Sequence, residues 1–205
     1  MEYRERPATR EPQGVMILFH GRGADQHDLF PLFDLLDPAG RLFGFAPRGP
    51  LALPPGGAHW YVSRDVGHPD PSSFHATVER VDAWLASVEV ATGCGRDRTI
   101  IGGFSQGAVM SYALGLGRGR PPPRALVALS GFMPVVDDFE LDVDDRGDLS
   151  VAIGHGTYDP VIDVEWGRLA RERLEAAGAD VLYRESPMAH GIDPGFVQEI
   201  AAWLE

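Results

Sequence analysis

Thr99-Ile100-Ile101-Gly102-Gly103-Phe104-Ser105-Gln106-Gly107 runs from an apolar, β-branched segment straight into a serine with a glycine two positions to either side. The residues that follow, to about Leu116, are mostly small or apolar and read as a helix. Strand, G-x-S-x-G and helix in that order predict a sharp elbow, where only glycine allows the backbones to approach closely enough. The serine oxygen then projects over a sheet at the positive end of the helix. A purely structural turn is the competing reading, and the flanking strand and helix weigh against it.

Working outward, the chain alternates buried strands with helices. Val15-Met16-Ile17-Leu18-Phe19, Leu42 to Ala46, Ala125 to Leu129, Leu149 to Ile153 and Val181 to Tyr183 are short continuous apolar runs, as parallel strands buried on both faces require. Leu29, Leu32, Phe33 and Leu36 fall at helical spacing before Pro38. Val78, Val81, Trp84, Leu85 and Val88 line a second helix, with Ser72 or Ser73 as its expected cap. Trp166, Ala170 and Leu174 mark another that Gly178 can end, and Phe196, Ile200 and Trp203 mark the last. The expected fold is one α/β domain over residues 1–205, a mostly parallel central sheet of six strands with helices on both faces. Pro47 to Pro71 reads as a long loop, Arg118 to Arg124 as a connector, and the acidic stretch from Asp137-Asp138 to Asp148 as a solvated loop.

Composition narrows the chemistry. The 205 residues contain no lysine and no asparagine, so Schiff-base chemistry, a phosphate-binding loop with its lysine and a Cys-His-Asn protease are all excluded. A single cysteine, Cys94, cannot form an internal disulfide, and a cytoplasmic setting is expected. Met1 to Arg6 lacks the apolar core of a secretory signal, and no apolar run approaches membrane length. The formal charge of −12 argues against holding nucleic acid or anionic lipid by charge. No metal is expected, because the histidines and aspartates show no ligand spacing.

A serine nucleophile needs a base, and the base needs an orienting acid. Of the seven histidines, only His190 follows both Ser105 and the last expected strand, in Met188-Ala189-His190-Gly191. Asp159, in Gly154-His155-Gly156-Thr157-Tyr158-Asp159-Pro160, is the preferred acid; Asp137, Asp138 and Asp163 are its rivals. His155 more simply shapes that turn than ligates a metal. Two donors for a developing oxyanion are expected in the backbone N–H groups of Gln106, just after the serine, and Arg22, in His20-Gly21-Arg22-Gly23-Ala24-Asp25 after the first core strand. That glycine-rich loop fails as a dinucleotide fingerprint, since Gln26 stands where the third glycine belongs.

From Val15 to the C-terminus the chain resembles the phospholipase/carboxylesterase family of α/β-hydrolases, which includes the acyl-protein thioesterases. The resemblance rests on Leu18 to Asp25, Gly103 to Ala108, Ser130-Gly131-Phe132-Met133-Pro134, His155 to Val161 and Ala189-His190-Gly191. It implies an α/β-hydrolase fold, a Ser105-Asp159-His190 triad, and an oxyanion hole at Arg22 and Gln106. It also implies hydrolysis of esters or thioesters of fairly small acyl groups, with no metal or organic cofactor. Trp60-Tyr61 matches an aromatic pair near the family's site; these two and Met133 are the candidate substrate contacts, with loop packing the alternative for the pair. Two departures stand out. The N-terminal segment leaves room for only one strand before Val15, and Arg22 stands where many relatives carry an aliphatic residue. The expected partner is a small-molecule ester, with neither nucleic acid nor stable membrane association; a homodimer is compatible with the sequence.

Overall fold

The computed structural model describes residues 1–144 and 147–205. Seven strands form one sheet: β1 (Tyr3–Arg6), β2 (Gly14–Phe19), β3 (Leu42–Pro47), β8 (Thr99–Phe104), β9 (Ala125–Leu129), β10 (Ser150–Gly156) and β11 (Asp180–Ser186). Their spatial order is β1-β3-β2-β8-β9-β10-β11, with β1 antiparallel at one edge and every other pairing parallel. The expected six parallel strands are therefore present, and the N-terminal segment supplies the seventh.

Successive residues of a strand face opposite sides of the sheet, and β2 shows how both sides are used. Val15, Ile17 and Phe19 enter one apolar cluster together with residues of α2 (Pro71–Thr92), α3 (Gln106–Leu116) and α4 (Glu165–Ala176). Met16 and Leu18 enter the other, with Phe33 and Leu36 of α1 (Leu32–Leu36) and Phe196, Val197 and Ile200 of α5 (Pro194–Trp203). Every residue of α3 is buried, which is why its sequence shows no polar stripe.

Two local expectations need correction. The segment Pro47 to Pro71 is not an unstructured loop: it folds into two small antiparallel hairpins, β4 (Leu51–Leu53) with β5 (Gly57–His59), and β6 (Ser63–Asp65) with β7 (His68–Pro69). Strands of two or three residues carry too little periodicity to read from sequence. The cap of α2 is Asp70, not Ser72 or Ser73; its carboxylate accepts the Ser73 N–H at 3.0 Å, and Pro71 fills the first helical position, where no donor is needed. Asp137, Asp138, Asp144 and Asp148 of the acidic stretch are exposed, whereas Asp145 and Arg146 lie outside the described residues. Among the described residues, no helix is long and apolar enough to cross a membrane.

Candidate active site

The parallel strands β2, β8, β9, β10 and β11 all end on the same side of the sheet, and each of the motifs read from the sequence begins where one of them ends. That is where open α/β sheets leave room for ligands.

Ser105 stands between β8 and α3 with φ 56° and ψ −120°, a strained conformation for a residue with a side chain. Its N–H donates to the Leu129 carbonyl at 2.9 Å, and its own carbonyl accepts from Ala108 and Val109. The flanking glycines are obligatory. A methyl group on Gly107 would lie 1.9 Å from the Phe19 carbonyl oxygen, and one on Gly103 would lie 2.5 Å from the Gly107 backbone. The elbow thus presses against the end of β2, and little of Ser105 remains exposed.

His190 Nδ1 lies 2.6 Å from Asp159 Oδ2, so the sequence-derived acid and base are hydrogen-bonded. Asp159 Oδ1 accepts the N–H groups of Val161 and Ile162 at 2.8 and 2.9 Å. Burial works to raise the Asp159 pKa, but the bonds from Ile162, His190 and Val161 outweigh it and hold the carboxyl below its usual range. An ionised Asp159 fixes the proton on Nδ1 and leaves Nε2 as an acceptor. No hydrogen bond joins Ser105 Oγ to this ring; such contacts commonly tighten only with substrate bound. The ring does pack on Phe104, immediately before the serine, with centroids 4.7 Å apart. Asp137 and Asp138 are exposed, and Asp137 meets α2 through its carbonyl and His75 instead. Asp163 Oδ1 accepts the Glu165 N–H at the start of α4, as a helix-starting residue would.

The loop after β2 lies against the elbow. A methyl group on Gly21 would stand 3.1 Å from the Phe104 ring and 3.5 Å from Ser105 Cβ. The loop is pinned from behind: Gly23 N–H donates to the Ala58 carbonyl and Ala58 N–H to the Ala24 carbonyl, both at 2.8 Å. The Arg22 and Gln106 N–H groups have no acceptor among the described residues, as oxyanion donors require.

His20, Ser130 and the side chain of Gln106 carried no role in the sequence reading, yet they support the site. His20 is buried, its Nε2 accepting the Gly49 N–H at 3.0 Å and its Nδ1 donating to the Gly21 carbonyl at 2.7 Å; burial lowers its pKa and keeps it neutral. The Gln106 side chain bridges the aromatic pair, accepting from Trp60 N–H and donating to the Tyr61 carbonyl. Ser130, also at positive φ, donates through Oγ to the Gly191 carbonyl at 3.1 Å and so ties down the His190 loop. His155 donates from Nε2 to the Ile162 carbonyl at 2.8 Å, which bears out its turn-shaping reading. For His20, Ser130 and the Gln106 side chain the signal in the sequence was a polar residue inside a family motif, which does not reveal its partner.

The substrate contacts stand differently. Trp60 and Tyr61 are wholly buried: Trp60 Nε1 donates to the His20 carbonyl at 2.8 Å and its ring meets Phe19 edge-on, while Tyr61 packs on Phe74. They lie beneath the site and offer no surface to a ligand here, which matches loop packing rather than a pocket wall. Met133 is nearly buried in the same core. A cavity of about 420 Å³ lies elsewhere, between α2 and the connector after α3. Two of its arginines are already paired, Arg118 with Glu140 and Arg120 with Asp82.

Known proteins resemble this chain in both sequence and fold. Over 152 residues the chain is 31% identical to acyl-protein thioesterase 1 of Candida albicans, covering 69% of this chain and 65% of that protein. Over 217 residues it is 26% identical to acyl-protein thioesterase 1 of Cryptococcus neoformans, covering 93% and 90%. The crystal structure of the Bacillus cereus carboxylesterase superposes with a TM-score of 0.85 at 22% identity, over 99% of this chain and 92% of that one. The carboxylesterase from Mesorhizobium loti gives 0.84 at 24%, over 98% and 93%; both share the fold. The profile of the phospholipase/carboxylesterase family matches residues 6–205, and the chain therefore belongs to that family of hydrolases acting on esters.

Proposed function

We propose that this protein is a cytoplasmic serine carboxylesterase acting on short, water-soluble carboxylic esters. Ser105 Oγ attacks the acyl carbon while His190 Nε2 takes its proton, and the ionised Asp159 stabilises the imidazolium that forms. The N–H groups of Arg22 and Gln106 bind the developing oxyanion. His190 passes the proton to the leaving oxygen, and water, activated by the same base, then releases the acid from the acyl-enzyme. The observation that carries this reading is the 2.6 Å Asp159–His190 bond, with the imidazole packed beside the strained serine elbow.

The substrate range rests on separate arguments. The segment between β3 and α2 forms two short hairpins rather than an amphipathic lid helix, and a charge of −12 disfavours sustained contact with anionic lipid. Extending an acyl chain gains only about 0.8 kcal/mol per methylene actually buried, so acyl groups of roughly 2–8 carbons are expected to be preferred. The names of the curated relatives favour a second reading, an acyl-protein thioesterase. A panel of matched esters and thioesters of increasing acyl length separates the two. A kcat/KM maximum on short oxygen esters supports the first, and a maximum on palmitoyl thioesters replaces it with the second.

A further inference from the structure

Arg22 is expected to contribute to the oxyanion hole through its backbone, which leaves its side chain without an assigned task. That side chain is exposed and has no carboxylate, carbonyl or aromatic partner among the described residues. The carboxylate nearest in sequence, Asp25, is already engaged by Arg48 at 3.5 Å, and Arg48 also approaches Glu2. Arg10, Arg80 and Arg173 share the unpaired condition, but on the N-terminal segment, α2 and α4. Acidic residues outnumber basic ones 30 to 18, so an unpaired guanidinium runs against the prevailing charge.

Its position is fixed by its neighbours. Gly21 sits against Phe104 and Ser105, and Gly23 is held by the β4–β5 hairpin, so the backbone between them cannot swing away from the serine. Arg22 Cα is about 3.8 Å along the chain from Gly21 Cα, which leaves groups attached to the scissile carbonyl within reach of the side chain. A guanidinium offers a planar fork of donors that matches a carboxylate and stays charged at any working pH.

We infer that Arg22 is a specificity-determining residue that selects esters carrying a carboxylate close to the scissile carbonyl, such as half-esters of short dicarboxylic acids. This rests on the reading of the site as an ester hydrolase. The carboxylate can belong to the acyl group or to the leaving group, and the experiment separates them. The purified full-length chain is assayed on two pairs of similar size that differ in charge, 4-nitrophenyl butyrate against 4-nitrophenyl hemisuccinate, and phenyl acetate against 4-acetoxybenzoate. The readout is the anionic-to-neutral ratio of kcat/KM within each variant. Intrinsic reactivity cancels when ratios are compared between variants, and a uniform loss of catalysis does not move them.

Arg22→Gln is expected to lower that ratio roughly 5- to 50-fold in at least one pair, the lower figure reflecting solvent screening. Arg22→Lys, which keeps the charge but not the fork, is expected to lose less. Added salt is expected to shrink the wild-type preference, and in the Gln variant to raise the ratio slightly by screening the acidic surface. Ratios within twofold of wild type in both pairs would overturn the inference while leaving the esterase reading intact. An equal loss on all four substrates would overturn it too, by assigning the residue to loop shape. A wild-type protein that turns over none of the four would instead refute the esterase reading on which the inference stands.

Discussion

Asp159→Asn should separate catalysis from stability in this protein. In the wild type, Asp159 Oδ1 takes two backbone N–H groups and Oδ2 takes Nδ1–H of His190. An asparagine oxygen can keep both backbone bonds, so the 156–162 turn survives with a loss of about 1 kcal/mol, or about 2–4 °C in Tm. The amide nitrogen then faces Nδ1, and two donors cannot meet. His190 must turn Nδ1 into an acceptor, which moves the ring proton to Nε2, where the serine proton has to go. The wrong tautomer is expected to cost on the order of 10⁴ in kcat, or about 5.5 kcal/mol of barrier. Steady-state kinetics on a short 4-nitrophenyl ester, paired with a thermal melt, measures both effects. A rate within tenfold of wild type would refute the reasoning, as would a 10⁴ loss caused by Asp137→Asn.

Two further outcomes follow from the packing and the ion pairs. Trp60→Ala removes a wholly buried indole and its bond to the His20 carbonyl, so Tm should fall by roughly 10 °C or more; an unchanged melt with KM raised only for longer acyl chains would make Trp60 a pocket wall after all. Bonds from Arg168, with help from the Tyr183 hydroxyl, outweigh partial burial and hold the Glu185 carboxyl down at about 2. A carboxylate depressed in the folded state stabilises fully above its unfolded value, near 4.5, and that contribution is lost as pH falls through about 2. Glu185→Gln should therefore lower Tm at neutral pH and flatten its decline below about pH 4.5, which a series of melts at stepped pH would detect; an unchanged acid slope would contradict the assignment.

The sheet was legible because its strands are buried on both faces. Runs such as Val15 to Phe19 and Ala125 to Leu129 have no polar residue to blur them. The serine elbow was legible because its glycines answer to backbone clearance, which only one residue type meets. The hairpins between β3 and α2 were not: β4–β5 is held by contacts with the loop after β2 that have no local signature, and the strands of β6–β7 are too short to show a period. Asp70 was missed as the α2 cap because a serine pair stood at equally plausible positions and register decides between them. Trp60 and Tyr61 show the limit most clearly. An aromatic pair beside a site looks the same in sequence whether its rings face the ligand or the core, and here Gln106, His20 and Phe19 hold Trp60 inward.

Covalent labelling of Ser105 tests the central claim most directly. A fluorophosphonate probe added to the purified protein should give one adduct, which peptide mass spectrometry should locate at Ser105. Ser105→Ala should abolish both the adduct and ester turnover while leaving the melt near wild type. An adduct on another residue, with hydrolysis intact in Ser105→Ala, would contradict the account.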